Sequence, residues 1–131
     1  ELEMNPRVDD IVLKMYVDRV MYDESTKSFI IIDLKTGKRQ PTTSLQLGFY
    51  AYGLRKIYGV EANTGYYWMA RKGELSTGFD LSTYTDEKIE SLVRMFHKAR
   101  QDKIYIPNLE SCNMCGFTEQ CEWYIKKEKD E

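Results

Sequence analysis

The sequence predicts an α/β fold, a central mixed β-sheet flanked by helices. Three observations lead there. Two stretches rich in β-branched and aromatic residues, Ile11 to Tyr22 and Ser28 to Lys35, are separated by the turn-forming run Asp23-Glu24-Ser25-Thr26-Lys27. Two later stretches carry helix caps or a helical apolar period. The 131 residues, 42% of them hydrophobic, suffice for one domain with its own core and exceed what disordered chains contain.

The elements follow in order. Ile11–Tyr22 and Ser28–Lys35 read as a hairpin. The second arm is apolar on both faces until Asp33, as expected in the middle of a covered sheet. Thr36 to Pro41 is a loop by its Gly and Pro. Thr42, Thr43 and Ser44 are candidate N-caps for a helix over Leu45 to Tyr58, and Gly59 is its stop. Gly48 and Gly53, inside that helix, are expected where it packs closely on the sheet. Tyr66 to Ala70 reads as a third strand, Gly73 as a turn, and Glu74 to Leu81 as a fourth strand. Thr85 caps a last helix whose Ile89, Leu92, Val93, Phe96 and Ala99 form one buried stripe, with Asp86 and Glu87 favourable at its positive end. A loop with Pro107 leads to three cysteines, and the charged run from Lys126 to Glu131 is expected to fray.

Charge and cysteine usage narrow the function. Nineteen Lys and Arg against 21 Asp and Glu give a net charge of -2, so any nucleic-acid contact must come from a local basic patch. Lys38, Arg39 and Arg55 are the first candidates for it, with Lys56, Arg71 and Lys72 beside them. No run approaches the roughly 20 apolar residues of a membrane span, and no secretory signal is evident. The three cysteines fall together as Cys112-x2-Cys115-x5-Cys121, a metal-knuckle spacing rather than a disulfide scaffold, which suggests a reducing, intracellular compartment. Zn2+ would need His97 as a fourth ligand, but its place next to the helix stripe makes it a surface residue. The Gly37-Lys38 pair lacks the remaining residues of a phosphate-binding P-loop, so nucleotide binding there is rejected.

Asp33 and Lys35, two apart on a strand, emerge on one face. A carboxylate able to hold a divalent cation beside an amine able to orient a water is a minimal kit for phosphodiester hydrolysis. Asp18, on the preceding arm, lies at a depth where it can face Asp33. Gln46 and Tyr50, at i and i+4, share one face of the following helix.

Taken in order, Met15-Tyr16-Val17-Asp18, Asp33-Leu34-Lys35-Thr36-Gly37, Gln46-Leu47-Gly48-Phe49-Tyr50 and the cysteine spacing resemble the RecB-like branch of the PD-(D/E)xK nucleases. That branch includes the CRISPR-associated iron-sulfur exonucleases and the AddB helicase-nuclease subunit. The resemblance implies a restriction-endonuclease-like core and a metal-dependent deoxyribonuclease, an exonuclease or end-processing enzyme of repair, recombination or phage and CRISPR defence. It implies that Asp18, Asp33 and the backbone carbonyl of Leu34 hold Mg2+ or Mn2+ while Lys35 assists the attacking water. Gln46 and Tyr50 would orient Lys35 and the DNA backbone. Cys112, Cys115 and Cys121 would join a [4Fe-4S] cluster in the complete protein, with Zn2+ less favoured. Partners would be DNA and a helicase or a CRISPR or recombination protein. The family's upstream metal ligand and fourth cysteine have no counterpart here, so residues 1–131 read as a single domain lacking its N-terminal helix. Met15 stands where the motif has glycine. The alternative is a non-catalytic DNA-binding or structural module that retains the fold and the cysteines.

Overall fold

Alternation of apolar and polar residues drives the strands, and the computed structural model, which describes residues 1–124, shows where each one pairs. In chain order the strands are β1 (Leu2–Met4), β2 (Arg7–Val8), β3 (Ile11–Val12), β4 (Met15–Val17), β5 (Arg19–Asp23) and β6 (Ser28–Lys35). Helix α1 (Leu45–Tyr58) leads to β7 (Ala62–Met69), β8 (Glu74–Leu75) and β9 (Phe79–Asp80), and α2 (Asp86–Gln101) follows. The chain forms two compact units, Glu1–Met95 and Phe96–Glu131.

The first unit is built on a mixed sheet of order β5-β6-β7-β8, with β9 also on β7. The hairpin β5–β6 is antiparallel, with Arg19 opposite Ile32. Strands β6 and β7 run parallel, with Asp33 opposite Tyr67 and Leu34 opposite Trp68. A parallel pair needs a crossover between its strands, and α1 supplies it.

Strand alternation then decides what is buried. Ile31, Asp33, Gly65, Tyr67 and Met69 point to the inner face, where Leu47, Tyr50, Ala51 and Leu54 of α1 close the core. The opposite face carries Leu34 and Trp68, 50% and 37% exposed. Thus β6 is central in the sheet but covered on one face only among the described residues, contrary to the expectation from its apolar run. A second, smaller cluster joins Val8, Tyr52 of α1, and Ile89 and Val93 of α2.

The expected long first arm of the hairpin is in fact three strands. Only Arg19–Asp23 pairs with β6, while β4 pairs with β1 and β3 with β2. Composition cannot register such breaks, because all three pieces are β-rich. Likewise the expected fourth strand is split into β8 and β9, both antiparallel to β7, around Ser76 to Gly78. The expected third strand starts four residues earlier than Tyr66, at Ala62.

Helix α1 has the predicted bounds, and Gly59, at φ 65°, ends it by donating to the carbonyl of Arg55. Its start uses Thr43, whose hydroxyl accepts from the Leu45 amide at 3.1 Å, while the Ser44 hydroxyl pairs with that of Tyr84 at 2.7 Å. The two glycines serve different neighbours. A Cβ on Gly53 would meet Met15 Sδ at 2.7 Å and Met4 Cε at 2.8 Å, so β1 and β4 do approach the helix there. A Cβ on Gly48 would lie 2.5 Å from the Tyr84 ring, which belongs to the loop before α2, not to the sheet as expected.

Helix α2 begins at Thr85, whose hydroxyl accepts from the Lys88 amide at 3.2 Å. Ile89 and Val93 are buried, but Phe96 is 60% exposed, so the predicted stripe is covered along its first turns only. In the second unit His97 is exposed, as its position suggested. There Leu109–Met114 form a 3-10 helix that carries Cys112. The charged run Lys126 to Glu131 lies outside the described residues.

Two outcomes follow for stability. Gly48→Ala should cost about 1–3 kcal/mol by overpacking, because the Tyr84 ring is anchored through its hydroxyl and cannot give way, whereas Gly53→Ala presses on flexible thioethers and should cost less. Urea melts of the two variants would check the order. Burial, with the Glu90 carboxylate 3.1 Å from its hydroxyl, pushes the Tyr52 phenol up to about 12 from 10.0. Below pH 10 folded and unfolded chains both keep that proton. Above it the unfolded chain loses its proton first, so stability falls as pH rises from 10 through 12. Tyr52→Phe should flatten this alkaline loss in melts recorded across that window.

Candidate active site

The site forms where β5, β6, β7 and α1 meet. Since β6 is paired on both sides, its end is held in place, and its alternation sets Asp33 and Lys35 on the inner face. Lys35 Nζ lies 2.9 Å from Asp33 Oδ2 and donates to Gln46 Oε1 at 2.8 Å. It also sits 5.7 Å from the centre of the Tyr67 ring, within reach of its π face. Gln46 Nε2 in turn donates to the Tyr50 hydroxyl at 2.8 Å. The ammonium requires an acceptor, so it fixes which way the Gln46 amide points. Asp33, Lys35, Gln46 and Tyr50 thus form one connected row, as their strand and helix spacings suggested.

Asp18 closes the row from the other side. It falls in the break between β4 and β5, and the β5–β6 register carries it opposite Asp33. Its Oδ2 accepts from the Leu34 amide at 2.8 Å. That bond clasps the backbone between the two residues of the Asp-x-Lys motif.

The electrostatics of the row centre on Asp33. Asp33 is 3% exposed, and its Oδ2 receives no well-directed hydrogen bond despite the nearby ammonium. Burial pushes its carboxyl above the usual carboxylate range; Lys35 opposes that rise and Asp18 adds to it. Burial likewise raises the Tyr50 phenol. A hard divalent cation fits this arrangement, since two facing carboxylates offer oxygen donors and one of those oxygens lacks a directed hydrogen bond. Among the described residues no group of three or more His, Cys, Asp and Glu side chains is disposed to hold a metal, so backbone carbonyl or water would complete the coordination.

The remaining predicted residues lie elsewhere. Lys38 and Arg39 are exposed in the loop before α1. Arg55 is engaged within the fold, donating to Asp86 Oδ1 at 2.8 Å and to the Tyr84 carbonyl at 2.7 Å. Lys56 is paired to Asp86 and Glu90. In the second unit Cys112, Cys115 and Cys121 are free thiols lining one cavity of about 210 Å3 with Pro107 and Trp123. The Phe117 amide points at Cys115 Sγ from 3.4 Å. Three sulfurs are one short of the four that usually hold a cluster or Zn2+.

Residues 1–122 match the model of the PD-(D/E)XK nuclease superfamily. The chain belongs to that superfamily. Nucleases of the PD-(D/E)XK superfamily generally use divalent metals such as Mg2+ or Mn2+ and act on DNA. The chain is also 30% identical, over 128 residues, to the Gene 69 protein of Mycobacterium phage D29, covering 92% of this chain and 46% of that protein. The corresponding protein of Mycobacterium phage L5 is 30% identical over 131 residues, 92% of this chain and 43% of the relative. The chain therefore spans less than half the length of these relatives. No helix among the described residues is long and apolar enough to cross a membrane.

The β6–β7 register adds two residues that motif reading passed over. Tyr67, 1% exposed, pairs across β6–β7 with Asp33, donates its hydroxyl to the Thr43 carbonyl at 2.7 Å and floors the Lys35 ammonium. Trp68 is its exposed neighbour. The signal for Tyr67 was available only through the parallel register, which the sequence does not reveal. Met15 replaces the motif glycine without disturbing the sheet, because its thioether occupies the space left open by Gly53.

Cation binding should appear in stability before it appears in catalysis. Saturating Mg2+ or Mn2+, at about 100 times its Kd, should stabilise the wild type by roughly 2.7 kcal/mol and raise its Tm. Asp33→Asn should abolish that increment. An unchanged wild-type Tm under the same titration would remove the carboxylate pair as a cation site.

Proposed function

We propose that the chain is the C-terminal part of a single RecB-like domain that cuts DNA as a divalent-metal exonuclease or end-processing nuclease. The observation that carries this reading is the row Asp33, Lys35 and Gln46, joined by contacts of 2.8 to 2.9 Å at the end of the central strand β6, with the Asp18 carboxylate held beside it by the Leu34 amide at 2.8 Å. Asp18, Asp33 and the Leu34 carbonyl would hold Mg2+ or Mn2+. When bound, the cation would offset charge developing on the scissile phosphate and lower the pKa of a coordinated water.

The protein's own groups do the positioning. Lys35 has three N–H groups; Gln46 accepts from one of them, while the Asp33 carboxylate, 2.9 Å away, holds the ammonium as an ion pair without a well-directed bond. The ammonium thus keeps N–H capacity for the attacking water or a phosphate oxygen. Gln46, steadied by Tyr50, keeps the ammonium from swinging away, and the Tyr67 ring restricts it from below. Lys38 and Arg39 are placed on an exposed loop where they can meet the DNA backbone, whereas Arg55 ties α1 to the start of α2. In the complete protein Cys112, Cys115 and Cys121 would join a fourth thiolate around a [4Fe-4S] cluster; Zn2+ is the less favoured occupant. Repair, recombination or phage and CRISPR defence, with a helicase or recombination partner, are the settings that the motif order supports.

End-labelled single- and double-stranded DNA incubated with Mg2+ or Mn2+ tests the proposal. Cleavage is expected from the wild type and is expected to vanish in Asp33→Ala and Lys35→Ala, while Gln46→Leu, which only releases Lys35, should slow it about 10- to 100-fold. Metal-dependent cleavage that survives in Lys35→Ala would remove Lys35 from the chemistry. DNA binding without cleavage by the full-length wild type would establish a non-catalytic module instead.

A further inference from the structure

On the sheet face opposite Asp33, Leu34 and Trp68 stand side by side, brought together by the β6–β7 register. Both are exposed, and with Ile32, Asp18, Arg19 and Glu1 they line a cleft of about 500 Å3. That volume lies in the range of small-ligand sites. The cleft differs from the active centre in its lining, which combines an indole and two aliphatic side chains with three charged residues. It touches the active centre through Asp18, whose carboxylate both lines the cleft and holds the Leu34 amide.

We propose that this cleft takes an unpaired nucleobase of the DNA strand next to the scissile phosphate, stacked on Trp68 and flanked by Leu34. The inference rests on the nuclease reading and adds a substrate preference to it. The charged side chains orient the nucleotide. Arg19 is the cation that a backbone phosphate can reach, and Glu1 repels a phosphate but can accept from a base amino group. Asp18 borders both the cleft and the Asp33 side of the strand end, so a base seated here would bring its own phosphate close to the carboxylate pair. A base inside a duplex already has both faces stacked and cannot present one to Trp68 without being unpaired first. The cleft therefore selects single-stranded or frayed ends over intact duplex.

The test compares wild type, Trp68→Phe and Trp68→Ala in the full-length protein, with a short oligothymidylate and a blunt hairpin duplex as probes. Binding is read by the anisotropy of fluorescein-labelled probes, and in the protein that keeps Trp68 also by quenching of tryptophan fluorescence, in an Asp33→Asn background that prevents cleavage. Oligothymidylate should quench the Trp68 protein, and Trp68→Ala should raise its Kd roughly 5- to 100-fold, as loss of one stacked base does. Trp68→Phe should recover most of the affinity, and duplex binding should hardly change. In cleavage assays with Asp33 intact, Trp68→Ala should raise KM for the single strand while leaving kcat nearly unchanged. Cleavage with equal KM for wild type and Trp68→Ala would overturn the base cleft and leave the nuclease reading standing. Trp68 fluorescence shielded from acrylamide in the DNA-free protein would also overturn it, by showing that protein covers this sheet face. Failure of every variant to bind or cut DNA would overturn both.

Discussion

Asp33 carries a carboxylate to a position that water scarcely reaches, and the surrounding structure answers that burial. An isolated charge there would be costly, so it needs a counter-charge close by. Lys35 supplies it from the same strand face, and Gln46 keeps Lys35 in place from the crossover helix. Gln46 can reach Lys35 because α1 crosses over between the parallel strands β6 and β7. The connection that makes the sheet mixed is the one that brings helix side chains to the end of β6. One oxygen of Asp33 still lacks a directed donor, although the Lys35 ammonium stands 2.9 Å away.

Local chemistry was legible in the sequence wherever a single residue type decides the backbone. Gly59 ended α1, Thr85 opened α2, and the strand period placed Asp33 beside Lys35. The helical spacing of Gln46 and Tyr50 likewise became a direct hydrogen bond. What was not legible depended on pairing between distant segments. The residues from Ile11 to Tyr22 look like one strand, yet they are divided among three pairings because Leu2–Met4 and Arg7–Val8 claim parts of them. Tyr67 became part of the site through a register that periodicity alone cannot give. Phe96 continued the helical stripe in the sequence but found no cover, since an amphipathic pattern states what could be buried and not whether a partner is there.

The two compact units pose different physical problems. The first has a core in which helix and sheet residues interlock, and its site is built from rigid elements, which favours precise placement of side chains. The second relies on a short 3-10 helix and turns, and its large apolar side chains, Ile106 and Met114 among them, are mostly exposed. Three thiols around one small cavity are its most organised feature.

The bond from the Leu34 amide to Asp18 has a consequence for how strands find one another. A hairpin that slipped by one residue would turn every side chain of β6 to the other face, exposing Asp33 and burying Leu34. By gripping the backbone at Leu34, Asp18 acts as a registration peg for β5 against β6, in addition to any part it takes in holding a cation. Loss of the Asp18 carboxylate therefore removes an alignment constraint along with a charge. An Asp18 variant that loses function is one of two things, a correctly folded chain short of one carboxylate or a chain whose sheet has assembled one residue out of step.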